Sequence, residues 1–167
     1  GGSICSTRIQ TGHGVPTLQS IVDCAKTDRS ALLIADGGIK NSGDMVKALA
    51  AGADLIMCGS LLSGTDETPG DIMHSSDGRA RKVYRGMASR EAQKSWRNKV
   101  GSVEGITTTV DVKGPVEKVV MDLAWGIKSG LSYSGCDTLR SFAAKAQLIQ
   151  QTSSGTKEGD THILDVA

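Results

Sequence analysis

ALLIADGG at residues 31–38 and DLIMCGS at residues 54–60 are two short apolar runs, each closed by small residues. Between them, residues 42–51 (SGDMVKALAA) set Met45, Val46 and Leu49 at helical spacing behind Ser42, a candidate N-cap. Upstream, residues 17–27 (TLQSIVDCAKT) bring Leu18, Ile21, Val22 and Ala25 onto one helical face. The order is helix, strand, helix, strand. Continuous apolar strands alternating with amphipathic helices predict an α/β chain whose parallel sheet is buried on both faces. A doubly wound sheet and a closed barrel both fit that pattern.

Working outward, residues 1–64 form a block of βα units with their loops, and residues 65–114 turn polar, with Trp96 set among charges. That second stretch reads as a long excursion from the sheet, with a β-rich piece at residues 107–112 before Lys113-Gly114-Pro115. Residues 115–151 carry two more helices. The first, over about residues 116–128, has Val119, Val120, Leu123 and Ile127 facing one way, and the second covers about 137–144. Residues 152–167 read as a loose tail. Two or three βα units cannot close an eight-stranded barrel, and the first residues look like a loop following a strand that is not there. An N-terminal half supplied from elsewhere is therefore expected.

Composition narrows the partners. Lys and Arg number 19 against 18 Asp and Glu, so a net charge of +1 gives no electrostatic reason to expect nucleic acid or an anionic membrane. No apolar stretch approaches the roughly 20 residues of a membrane span, no signal pattern opens the chain, and a cytoplasmic location is the default expectation. Cys5, Cys24, Cys58 and Cys136 are widely spaced without a CxxC pair, which suggests neither zinc nor a disulfide framework. The glycines, 21 in all, cluster at segment ends.

Asp36-Gly37-Gly38 and Gly59-Ser60 follow successive strands, so they lie at one end of the sheet and offer backbone N–H donors and a carboxylate together. Loops so placed can bind a phosphate, although each glycine pair also reads as a tight turn. Cys5 stands among Ser3, Ser6 and Thr7 in a Gly-led loop, where hydroxyls can activate a thiol as a nucleophile. The alternative, a buried small hydrophobe, suits Cys24 in its helix and Cys58 in its strand. Asp36 also reads as a helix cap and Glu104 as a solvated loop acid.

SICSTRIQTGHGVP, IADGGIKNSGD, IMCGSLLSGTDETPG, YRGMAS, VEG and VDVKGPV occur in that order over almost the whole chain. The sequence resembles the inosine monophosphate dehydrogenase and guanosine monophosphate reductase family, over the second half of its catalytic domain. The resemblance implies the C-terminal part of a (β/α)8 TIM barrel that assembles as a homotetramer with its N-terminal half. It implies that Cys5 attacks C2 of a purine nucleotide monophosphate, with Thr7 beside it and Glu104 at the base edge. Asp36 would hold the ribose, Gly37, Gly38, Gly59 and Ser60 the phosphate, and Ser3, Tyr84, Gly86 and Met87 would complete the substrate site. A potassium ion would take main-chain oxygens of Gly2 and Cys5, with Glu158 and Gly159 from the tail.

Two branches of that family share such a site. The dehydrogenase oxidises inosine monophosphate (IMP) with NAD and carries an Arg-Tyr pair on a mobile flap; the reductase converts guanosine monophosphate (GMP) to IMP with NADPH and has a shorter flap without it. Here Met87 and Glu104 are separated only by ASREAQKSWRNKVGSV, with Arg97 followed by Asn98. The resemblance therefore favours the reductase, with the dehydrogenase as alternative. His13 in TGHG departs from the reductase pattern, and the end TSSGTKEGDTHI looks more like a dehydrogenase tail. His13 and His162 otherwise read as surface or loop histidines. A non-catalytic nucleotide-binding or assembly fragment is the reading outside enzymes.

Overall fold

The computed structural model describes residues 1–28 and 30–161. In it the leading helices are α1 (Thr7–Thr11) and α2 (Thr17–Ala25), followed by β1 (Ile34–Asp36), α3 (Ser42–Ala50) and β2 (Leu55–Met57). β1 and β2 pair in parallel, with Ile34 opposite Leu55 and Asp36 opposite Met57. Both strands are shorter than the apolar runs that announce them.

The N-cap of α3 is Asn41 rather than Ser42: Asn41 Oδ1 accepts the Asp44 N–H at 2.9 Å, while the Asp44 carboxylate accepts the Lys40 N–H at 3.0 Å. That exchange satisfies two backbone donors at the helix start. α3 then buries Met45, Ala48 and Leu49, and Met45 and Ala48 form the core with Ile21, Ala35, Ile39 and Ala53. Against α3 lies α5 (Val116–Tyr133), longer than its apolar spacing predicts. Its Gly126 and Gly130 face Ser42 and Val46, and a methyl group at 130 would stand 2.7 Å from Val46 Cγ2. Backbone and side chain thus approach as closely as hydrogen allows. α6 (Leu139–Lys145) also packs on α3 and buries Phe142.

The excursion is more regular than expected. β3 (Met73–His74), β4 (Ala80–Arg85) and β5 (Thr107–Asp111) form an antiparallel sheet, and α4 (Arg90–Arg97) lies between the last two strands. Lys82 on β4 is buried, and its ammonium donates to the carbonyls of Thr65, Asp66 and Thr68 at 3.0, 3.1 and 2.8 Å. These bonds offset the cost of burying a charge and tie the start of the excursion to β4. The tail also differs from its reading: Thr152 caps α7 (Ser153–Glu158) by accepting the Gly155 N–H. His162 lies outside the described residues.

Two burial expectations fail. Cys24 is exposed rather than a buried hydrophobe, whereas Cys58 is partly buried and burial pushes its thiol up. The parallel strands are covered on one face only: Ala35 is 1% exposed, but Ile34, Leu55 and Met57 remain 47, 48 and 50% exposed. Among the described residues, no helix is long and apolar enough to cross a membrane.

Candidate active site

Cys5 sits just before α1 in a turn closed by its own N–H on the Gly2 carbonyl at 2.9 Å. An antiparallel bridge joins it to Gly105, flanked by Ser6 N–H to Glu104 O at 2.8 Å and Ile106 N–H to Ile4 O at 3.0 Å. On its other side the 104–106 segment bonds to Ala88 and Gly86. Two loops 97 residues apart in sequence are thereby held together, and their side chains form a chain of contacts. Cys5 Sγ lies 3.3 Å from Thr7 Oγ1, and Thr7 Oγ1 donates to Glu104 Oε2 at 2.7 Å. Ser102 Oγ donates to the other carboxylate oxygen at 3.1 Å, a contact the sequence reading missed and that no motif announces.

The Thr7 hydroxyl beside it holds the Cys5 thiol below the usual thiol value. Cys5 is exposed, so the thiol is accessible. Glu104 is half-buried and bonded from two sides, which removes the reading of a solvated loop acid.

A cavity of about 300 Å³ opens on one side of Cys5. Ser3, Asp36, Gly37, Gly38, Gly59, Ser60 and Tyr84 all border it, joined by Ile39 and Met57, which the sequence reading did not single out. Asp36 caps no helix, since Asn41 fills that place. Gly37 and Gly38 hold φ of 90° and 77°, where side chains are strained, and a methyl group on Gly2 would run into the Gly38 amide nitrogen. The Tyr84 hydroxyl closes over Gly59, 3.2 Å from where a Cβ would stand. A second cavity of about 320 Å³ shares Cys5 and Tyr84 and continues along Gly86, Met87 and Glu104. The cysteine therefore stands between two clefts.

The stretch from Met87 to Glu104 is folded back on a buried glutamine. Gln93 Nε2 donates to Ala88 O and Ser102 O at 3.0 and 2.7 Å, and Oε1 accepts the Gly101 N–H at 2.8 Å. This keeps the excursion short and returns Glu104 to Thr7. His13 is exposed and its ring bonds the Thr11 carbonyl at 2.8 Å, away from this chemistry.

The Gly2 carbonyl accepts the Cys5 N–H, and Glu158 and Gly159 lie at the end of α7, with no hydrogen bond to Gly2 or Cys5 among the described residues. No group of three or more His, Cys, Asp or Glu side chains is placed to hold a metal ion among the described residues.

An accessible cysteine, linked through a hydroxyl to a carboxylate, stands beside a glycine-lined cleft in an α/β fold. The chain belongs to the IMP dehydrogenase / GMP reductase domain family, whose profile matches residues 1–162. It is 43% identical to inosine-5'-monophosphate dehydrogenase of Nitrosopumilus maritimus over 96% of this chain and 37% of that protein. It is 44% identical to the Bacillus subtilis dehydrogenase over 99% and 36%, and 38% identical to GMP reductase of Leishmania major over 96% and 35%. A crystal structure of a Trypanosoma brucei GMP reductase variant in complex with guanosine 5'-monophosphate superposes with a TM-score of 0.92 at 37% identity, over 98% of this chain and 35% of that one. The fold is thus part of the family's TIM barrel, and the chain spans a little over a third of the length of the relatives it matches.

Proposed function

We propose that this chain carries the cysteine, acid and phosphate loops of a GMP reductase, which converts GMP to IMP and ammonia. The contact chain from Cys5 through Thr7 to Glu104 carries the reading. Thr7 passes the thiol proton to Glu104, and the Cys5 thiolate attacks C2 of the guanine ring. Glu104 returns that proton to the exocyclic amine, which leaves as ammonia while the C2–S bond remains. NADPH, when bound, supplies the hydride that ends on C2. Cys5 departs as thiolate, so GMP, NADPH and two protons yield IMP, NADP⁺ and ammonium.

Asp36 accepts ribose hydroxyls, the Gly37-Gly38 and Gly59-Ser60 main chain with Ser3 takes the 5′-phosphate, and Tyr84, Gly86 and Met87 flank phosphate and base. The cavity bounded by Cys5, Met87 and Glu104 has room for a nicotinamide ring beside the sulfur. A potassium site on Gly2, Cys5, Glu158 and Gly159 belongs to the same proposal, and no step above is routed through it. A homotetramer and an N-terminal barrel half remain part of the proposal; the half-exposed Ile34, Leu55 and Met57 are what such a half would cover.

The flap supports the reductase branch. Residues 88–103 contain no Arg-Tyr pair and fold into one short helix pinned by Gln93, which suits expulsion of an amine rather than activation of water. The second reading, IMP dehydrogenase with NAD, is favoured by the higher identity to the two dehydrogenases than to the reductases. Incubating the full-length protein with GMP and NADPH, and separately with IMP and NAD, tests this. Ammonia and IMP from the first mixture support the reductase; xanthosine monophosphate from the second makes it a dehydrogenase; no product from either leaves a non-catalytic fragment.

A further inference from the structure

Lys113 takes no part in the steps above, yet its ammonium reaches the proposed phosphate loop. Nζ donates to Ser60 O and to Leu61 O, both at 3.0 Å. Ser63 Oγ donates to the same Ser60 oxygen at 2.7 Å, so both of its lone pairs are used. The backbone is fastened alongside, with Lys113 N–H on Gly64 O and Asp66 N–H on Gly114 O, each at 2.9 Å.

A trans peptide points its N–H opposite to its C=O, so fixing the Ser60 carbonyl fixes the direction of the Leu61 N–H. The Leu62 and Ser63 N–H groups both donate to Gly59 O, whereas those of Ser60 and Leu61 donate to no group among the described residues. Ser60 borders both the cleft beside Asp36 and a further cavity that Lys113 lines, so the ammonium stands behind the loop. No side chain bordering the cleft itself is a lysine or arginine. The nearby Arg81 is matched by Asp111 at 3.1 Å, while Lys113 meets no carboxylate among the described residues.

We infer that Lys113 is a positioning residue for the 5′-phosphate: it orients the Ser60–Leu61 peptide toward the dianion and supplies the loop's positive charge from behind. This rests on the reading that the phosphate lies against Gly59 and Ser60. The role differs from direct coordination, because the side chain acts through carbonyls and leaves the cleft free.

The test compares GMP with guanosine, which lacks only the phosphate, by calorimetry and steady-state kinetics on the full-length protein. For Lys113→Met the dissociation constant for GMP is expected to rise about 10- to 100-fold, as for loss of charged hydrogen bonds. Guanosine binding should change less than about threefold, Lys113→Arg should recover most of the loss, and KM should suffer more than kcat. Equal weakening of both ligands, unchanged GMP affinity, or failure of both variants to fold would each overturn the positioning role. A wild-type protein that binds guanosine as tightly as GMP, or binds neither, refutes the phosphate reading itself before any variant is compared.

Discussion

Thr7 has one hydroxyl hydrogen and two neighbours that compete for it. With Glu104 ionised, the hydrogen goes to the carboxylate at 2.7 Å and the thiol donates to Thr7; once Glu104 is protonated, Thr7 can turn it onto the thiolate. Because that hydroxyl holds the Cys5 thiol below the usual value, thiolate is present at a lower pH than for a free cysteine. Thr7→Val is therefore expected to move the pH profile of Cys5 alkylation by iodoacetamide to higher pH; an unmoved profile would leave Thr7 without a part in activation. Cys5→Ala should abolish turnover while GMP still binds, since the phosphate contacts are elsewhere. Glu104→Gln keeps the shape and removes the proton carrier, so kcat should fall roughly 10²- to 10⁴-fold with KM little changed. At this scale Cys5 and its hydroxyl neighbours were legible in the sequence, because polar residues around a cysteine are a local signal. Lys113 was not, because its contacts join segments far apart in the chain, and Ser102 was not, because a serine two residues before a glutamate carries no signal of its own.

The excursion shows what happens when burial contradicts polarity. ARKVYR at residues 80–85 hides its central strand by placing a lysine where the sheet is most buried, and only the carbonyls of Thr65, Asp66 and Thr68 make that tenable. Lys82→Met should lower stability by about 1–3 kcal/mol by leaving those acceptors without their donor, measured as a shift in the denaturant midpoint. An unchanged midpoint would mean that water replaces the ammonium. The helices behave differently. Gly130→Ala improves helix propensity by up to about 1 kcal/mol, yet its methyl meets Val46, and overpacking of about 1–3 kcal/mol should win. Apolar spacing made α2, α3 and α5 readable, although α5 runs on to Tyr133 because its small residues pack as closely as its large ones. The cap at Asn41 and the tail helix α7 rest on local side-chain bonds that a run of adjacent polar residues does not single out.

Across the whole molecule, two parallel strands present Ile34, Leu55 and Met57 on a face that the described residues do not cover. The isolated 167-residue chain is expected to bind an apolar dye such as anilinonaphthalene sulfonate, and the full-length protein to bind far less; equal binding would show that the face stays open. The parallel βα order followed from apolar runs ended by glycine, whereas the closed barrel came from the family resemblance. The choice between dehydrogenase and reductase does not follow from them, since enzymes of both names match this chain over nearly its whole length. The most direct measurement follows the absorbance of reduced nicotinamide in full-length protein, with GMP and NADPH in one cuvette and IMP and NAD in another. A GMP reductase acting through Cys5 produces a fall in the first that Cys5→Ala eliminates; a rise confined to the second would contradict it.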